Sequence, residues 1–151
     1  MITTLSQLVA LVETGNNPWA MRYEPRFMVP MDAINSAMKA IHPDCSASTS
    51  RIILCTSWGK YQIMGSNLYA QGLTGWPGEY LADEALQDMH FLAYCQKAQI
   101  VFTLDALFNS DDDTNLETFA RKWNGPGNVT AYVARMKFIY KNDLLANGAN
   151  V

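Results

Sequence analysis

The residue pattern predicts one mainly helical domain with a small, irregular strand or hairpin arm. Three observations lead to it. The 151 residues are 49% hydrophobic and 17% charged, enough apolar surface for one sizeable core. Apolar residues recur at helical spacing through much of the chain, from Leu5 to Leu145. The exception is the segment Asn16 to Met28, where Asn16-Asn17-Pro18 leads into Trp19, Met21, Tyr23 and Phe27 in partial alternation.

Taken in order, Leu5, Leu8, Val9 and Val12 share a face over Thr4 to Thr14, Thr4 and Gln7 have the form of a capping box, and Gly15 ends the helix. After Pro30, the run Met31, Ile34, Met38 and Ile41 is helical until Pro43, and Asp44 to Ser50 reads as a polar loop. Ile52-Ile53-Leu54 is a short apolar run, and Thr56 or Ser57 is placed to cap a helix beginning at Trp58. Gly65 and Gly72 divide the next stretch into short helical pieces, and Thr74 to Gly78 is a loop. A long helix is expected from about Tyr80 to Phe108, apolar on nearly all sides toward its C-terminal half and therefore central and buried. Asn109 to Asp113 is an acidic break, Asn115 to Trp123 a helix, Asn124 to Gly127 a tight turn and Val129 to Leu145 the last helix. No internal repeat or interdomain linker interrupts residues 1–151, so a single domain is expected.

Charge and composition exclude several function classes. Eleven basic residues against fourteen acidic ones leave a formal charge of −3, which opposes nonspecific nucleic-acid binding. The charge is uneven: residues 79–117 hold nine acids and one base, whereas residues 121–141 hold Arg121, Lys122, Arg135, Lys137 and Lys141 and no acid. A solvated helix face accounts for the basic stretch, and an acidic polymer as substrate would also suit it. The most apolar later stretch, Phe91 to Phe108, contains Gln96, Lys97, Gln99 and Asp105, which argues against a membrane span. No Lys or Arg precedes Arg22, so no signal peptide is expected. Cys45, Cys55 and Cys95 cannot all pair within one chain and match no zinc or CxxC spacing. His42 and His90 lack metal-ligand spacing, and no phosphate loop or serine elbow is present, so neither metal nor cofactor is expected.

Three short strings carry candidate chemistry. Glu13 stands four residues after Val9, at the edge of the first helix's apolar stripe and two residues before Gly15. A carboxyl there faces the core or a cleft wall, where desolvation favours the neutral acid that a proton donor needs. On position alone a surface glutamate at a frayed helix end is the commoner case. Ser57-Trp58-Gly59-Lys60-Tyr61-Gln62-Ile63-Met64-Gly65 sets a glutamine among bulky apolar neighbours beside a permissive glycine. Phe119 to Gly127, with Trp123-Asn124-Gly125 at its centre, is a helix end followed by a turn. Trp19, Tyr23 and Trp76, in loop-like segments, are candidates to stack on a sugar ring.

In this order and spacing the strings resemble the lysozyme-like superfamily of peptidoglycan-cleaving enzymes, which includes goose-type lysozymes and soluble lytic transglycosylases, and most of all phage and bacterial N-acetylmuramidases of the endolysin type. Glu13-Thr14 matches the glutamate and small hydroxylated residue that end an early helix, Gly59-Lys60-Tyr61-Gln62 the Gly-x-x-Gln motif, and Trp123-Asn124-Gly125 the aromatic-Asn-Gly motif. Tyr23-Glu24 and the string Ser57 to Gly65 match features of the muramidases. Trp123 stands where the transglycosylases usually have tyrosine, and Thr14 where serine is commoner. The likeness spans roughly residues 5–140.

The resemblance implies an α+β, mainly α lysozyme-like fold with a small β element and a cleft for glycan. It implies that Glu13 protonates the oxygen between N-acetylmuramic acid and N-acetylglucosamine, that Gln62 and Asn124 hold N-acetyl or backbone groups of the sugar, and that Trp58, Tyr61, Tyr23 and Trp123 shape the substrate site. Glu24 would be a second catalytic carboxylate that positions water, or else the partner of Arg22 or Arg26 in an ion pair. The expected partner is a bacterial glycan strand, met by a monomeric or virion-borne protein made in a host cytoplasm and acting on the cell wall. A lytic transglycosylase forming 1,6-anhydro products is the alternative within the family. Outside it stand a cysteine peptidase or amidase using Cys55 with His42 or His90, and a noncatalytic wall-binding virion module.

Overall fold

Thr4 starts the first helix as its sequence predicts: its hydroxyl accepts the Gln7 N–H at 3.2 Å, and the Gln7 side chain accepts the Thr4 N–H at 3.2 Å. The computed structural model describes residues 1–27, 36, 38–109 and 112–148. In chain order its elements are α1 (Leu5–Thr14), β1 (Met21–Tyr23), α2 (Ala47–Leu54), β2 (Thr56–Trp58), β3 (Ile63–Met64), α3 (Gly65–Ala70), α4 (Pro77–Ala82), α5 (Glu84–Lys97), α6 (Leu104–Phe108), α7 (Thr114–Asn124), a 3-10 turn (Pro126–Asn128) and α8 (Val129–Ala146). Residues 38–41 are also helical; Met31 and Ile34 of the helix expected there lie outside the described residues, as do positions 110 and 111 of the acidic break. The result is a mainly α, α+β lysozyme-like fold with a small antiparallel sheet.

The chain divides into two compact units, residues 1–16 with 95–151, and residues 17–94. In the first, α1 and α7 both pack on α8, and α6 packs on α7. α1 buries Leu8, Val9, Ala10 and Val12, and α8 buries Val129, Tyr132, Val133 and Met136 at the i, i+3, i+4, i+7 spacing of one helix face. α1 ends at Gly15, whose φ of +67° is the left-handed conformation that closes a helix.

In the second unit the sheet is an antiparallel meander in the order β1-β2-β3. Met21 pairs with Trp58 and Tyr23 with Thr56, while Ser57 pairs with Met64 and Trp58 with Ile63. The helix expected from Trp58 is therefore a strand: the Thr56 hydroxyl donates back to the Ile52 carbonyl at 2.6 Å rather than capping forward, and Gly59 breaks the chain toward β3. The polar loop expected over Asp44 to Ser50 is corrected as well. The Ser46 hydroxyl accepts the Thr49 N–H at 3.1 Å, and helix α2 begins at Ala47.

The long helix expected from Tyr80 to Phe108 is three helices. Asp83 stands in an extended conformation between α4 and α5, and its carboxylate accepts the Leu86 N–H at 3.0 Å as a cap. After α5, Gln99 at φ +53° turns the chain, and the Thr103 hydroxyl caps α6 by accepting the Ala106 N–H at 3.1 Å. α5 buries one stripe, Gln87, His90, Phe91 and Cys95, whereas Met89 and Leu92 are 54% and 59% exposed. It is an amphipathic helix rather than one apolar on all sides.

Candidate active site

α1 delivers Glu13 at its C-terminal turn, and two donors from the same unit meet the carboxylate. Trp123 Nε1, one residue before the end of α7, donates to Glu13 Oε1 at 2.9 Å, and the Tyr132 hydroxyl of α8 donates to the same oxygen at 2.8 Å. Burial, the charge of Glu13 and the hydrogen bond to it raise the pKa of Tyr132 well above the ordinary tyrosine value, against a weaker opposing effect of Arg135. Tyr132 therefore stays protonated and remains a donor throughout the range in which enzymes work. Both bonds end on Oε1, so the carboxyl is fixed in orientation while Oε2 takes part in neither.

Trp123, expected to touch substrate, thus spends its indole N–H on Glu13. Tyr132 was not singled out by the sequence, although a tyrosine inside the buried stripe of α8 needs a partner for its hydroxyl, and that requirement was the available signal. If the Glu13 carboxyl takes part in the reaction, Tyr132→Phe and Trp123→Phe should each lower kcat about tenfold with little change in KM, because each removes one of the two hydrogen bonds that orient it. Unchanged kcat in both variants, measured on soluble glycan fragments, would exclude a positioning role.

The second unit, taken by itself, holds the Gly59-x-x-Gln62 turn. Gly59 has φ +73°, and a Cβ on it would lie 2.4 Å from Gln87 Oε1, so glycine is required by both conformation and space. Gln62 itself adopts φ +52°, a strained conformation for a residue with a side chain. Its Nε2 donates to the carbonyls of Gly59 at 3.0 Å and Ala20 at 3.3 Å, which uses both amide hydrogens and leaves Oε1 as the acceptor available to a ligand. Gly65 closes the motif: a Cβ there would stand 2.1 Å from the Ile53 carbonyl oxygen.

Fully buried Gln87 on α5 holds this turn in place. Its Oε1 accepts the Lys60 N–H at 2.8 Å, and its Nε2 lies within 3.2–3.3 Å of the carbonyls of Pro18, Tyr80 and Leu81. Lys60 is buried too, paired with Asp88 at 2.9 Å and Glu84 at 3.2 Å. Burial works to lower its pKa, but the two carboxylates outweigh burial and hold it above the ordinary lysine value. The sequence reading missed Gln87 because a glutamine in a helix carries no local mark of what it will bond.

The other candidates divide by exposure. Trp58 is 9% exposed with Nε1 on the Ile53 carbonyl at 3.0 Å, and Tyr61 is 2% exposed, stacked on Phe91 and bonded to Asp88 at 2.5 Å. With so little surface open, both brace the turn from within. Trp19 and Tyr23, at 59% and 48%, present rings to solvent beside and on β1. Trp76, at 44%, lies against His42 with ring centroids 3.9 Å apart. Asn124 is exposed at the last residue of α7, where Gly125 at φ +80° stops the helix, and its side chain makes no hydrogen bond among the described residues. Glu24 is bound to Arg22 through Oε1 and retains 33% of its side-chain surface.

The cysteine alternative finds no assembled site among the described residues. Cys55 is buried with its thiol on the Phe27 carbonyl, His42 stacks on Trp76, and His90 faces Gln71 at 3.3 Å and the edge of Tyr80. Burial lowers the pKa of His90 below the ordinary 6.5. The unfolded chain therefore binds that proton more readily than the folded one, so His90 costs no stability above about pH 6.5 and destabilises progressively as pH falls through its folded pKa. The gap in Tm between wild type and His90→Gln should narrow from pH 7 to pH 5; a constant gap would remove His90 from the acid response.

The N-acetylmuramidase family profile matches residues 34–143. An endolysin of Enterobacteria phage PRD1 is 33% identical over 129 residues, covering 81% of this chain and 86% of that protein. No solved structure matches. The chain belongs to the N-acetylmuramidase family: it is an enzyme, a muramidase that degrades peptidoglycan. The matched profile begins after Glu13 and Glu24, so the roles of those two carboxylates rest on geometry and chemistry.

Proposed function

We propose that the enzyme hydrolyses the β-1,4 bond between N-acetylmuramic acid and N-acetylglucosamine, with Glu13 as general acid. The observation that carries this reading is the convergence of Trp123 and Tyr132 on Glu13 Oε1. Oε1 already accepts two hydrogen bonds, so Oε2 is the oxygen from which a proton would pass to the leaving oxygen. Gln62 Oε1 accepts an acetamido N–H, Asn124 bonds a second polar group of the sugar, and the exposed ring of Tyr23 stacks on a pyranose face. Trp58 and Tyr61 keep the Gln62 turn in shape. In the hydrolytic reading Glu24 directs water with its second oxygen, its first being engaged by Arg22.

One observation favours a second reading. The Arg22–Glu24 ion pair engages Oε1 of the carboxylate that would activate water and turns it toward Arg22. Without that base the muramic acid 6-hydroxyl attacks the anomeric carbon, and the products are 1,6-anhydro sugars, as in a lytic transglycosylase. Mass analysis of digested, purified peptidoglycan separates the two, because an anhydro end is one water lighter than a reducing end. Reducing ends whose yield collapses in Glu24→Gln support hydrolysis; anhydro ends unaffected by that change overturn it. The likeness to a phage endolysin supports a setting in which the protein is made in a host cytoplasm and reaches the wall from there, free or in a virion.

A further inference from the structure

We infer that the outward face of α8 docks on an anionic lipid bilayer. The helix has 18 residues and spans about 27 Å. Its buried stripe, from Val129 to Met136, faces the first unit's interior, and the 100° step per residue places Ala134, Phe138 and Leu145 on the opposite side. There Phe138 is 69% and Leu145 51% exposed. Phe138 and Leu145, two turns apart, with the smaller Ala134 one turn before Phe138, leave a strip of apolar surface in water along this side. Arg135 borders the strip on one side and Lys141 on the other. Both are exposed, and no carboxylate of a described residue is within ion-pair distance of either. Lys137, by contrast, is neutralised by Asp113.

Apolar rings and chains flanked by cations on both edges match a surface whose interior is hydrocarbon and whose headgroups are anionic. A wall polymer would pair with the cations and find a ring to stack on at Phe138, but it gains nothing from the aliphatic Leu145 beside it, which decides for lipid. Residues 121–141 carry five basic groups and no acid in a chain of net charge −3; Glu117 and Asp113 pair with Arg121 and Lys137, and Arg135 and Lys141 beside the strip are left to meet an anionic surface. Among the described residues no helix is long and apolar enough to cross a membrane, and the proposed contact is interfacial.

The test is co-sedimentation of the full chain with vesicles of phosphatidylcholine alone or mixed in equal parts with phosphatidylglycerol. The wild type should sediment with the mixed vesicles at low salt, be released by added salt, and leave the neutral vesicles largely unbound. Each cation near an anionic surface contributes about fivefold in partitioning, so Lys141→Glu, a change of two charges, should weaken binding about 25-fold. Phe138→Ser should weaken it about tenfold or more through lost apolar burial. Both variants should retain wild-type cleavage of lipid-free peptidoglycan. Absence of vesicle binding by the wild type, or equal binding to both lipid compositions, overturns the proposal. So does self-association abolished by Phe138→Ser, or Phe138-dependent binding to lipid-free wall in a protein that ignores vesicles.

Discussion

Glu13→Gln should lower peptidoglycan cleavage by ~10²–10⁴-fold, the usual cost of losing a general acid. The amide keeps the shape of the carboxyl, and its oxygen can still accept the hydrogen bonds that Trp123 and Tyr132 now give to Oε1. The nitrogen in the place of Oε2 has hydrogens but no acidic proton to give the leaving oxygen. Binding of short chitin-like oligosaccharides and the melting temperature should therefore change little, which separates this outcome from misfolding. Release of soluble fragments at near wild-type rate would sink the assignment of Glu13, whatever the family of the enzyme.

Gln87→Leu should produce the largest loss of stability, about 3 kcal/mol, and should take much of the activity with it. Leucine approximates the shape of glutamine but accepts nothing from Lys60 N–H, so a buried donor loses its partner, and the carbonyls of Pro18, Tyr80 and Leu81 lose their shared donor. The turn carrying Gln62 then relaxes from its strained φ of +52°, because strain persists only where surrounding bonds over-determine it. Denaturant unfolding measures the first effect. Gln87→Glu keeps the acceptor for Lys60 but turns a buried carboxylate oxygen toward three carbonyls, so its stability at neutral pH should be no higher than that of Gln87→Leu. A Gln87→Leu protein as stable as wild type would show that the four contacts are energetically idle.

The features the residue pattern located correctly have their partners close in sequence. The capping box of α1, its stop at Gly15 and the stop of α7 at Gly125 are made by bonds spanning three or four residues. The Gly-x-x-Gln spacing also follows from local geometry, since Gly59 and Gln62 are joined by backbone and side-chain bonds within one turn. Three other caps, Ser46, Asp83 and Thr103, were equally local but went unread. Ser46 lay in a polar run, and Asp83 and Thr103 lay close to or within an apolar run whose composition outweighed them.

By itself the sequence determined the helical class, the ends of α1 and α7, and the muramidase family that its motifs resemble. Tertiary structure alone decided that Thr56 to Trp58 is a strand, because its pairing with Met21 to Tyr23 joins segments more than thirty positions apart. It also decided that the Trp123 indole N–H and the Tyr132 hydroxyl both meet Glu13, through bonds spanning 110 and 119 residues. Local pattern states only whether a side chain is apolar or can donate. Which buried acceptor meets that donor depends on how α1, α7 and α8 pack, because burial makes an unpaired hydroxyl or indole N–H costly and so enforces a partner without specifying, in sequence, which one.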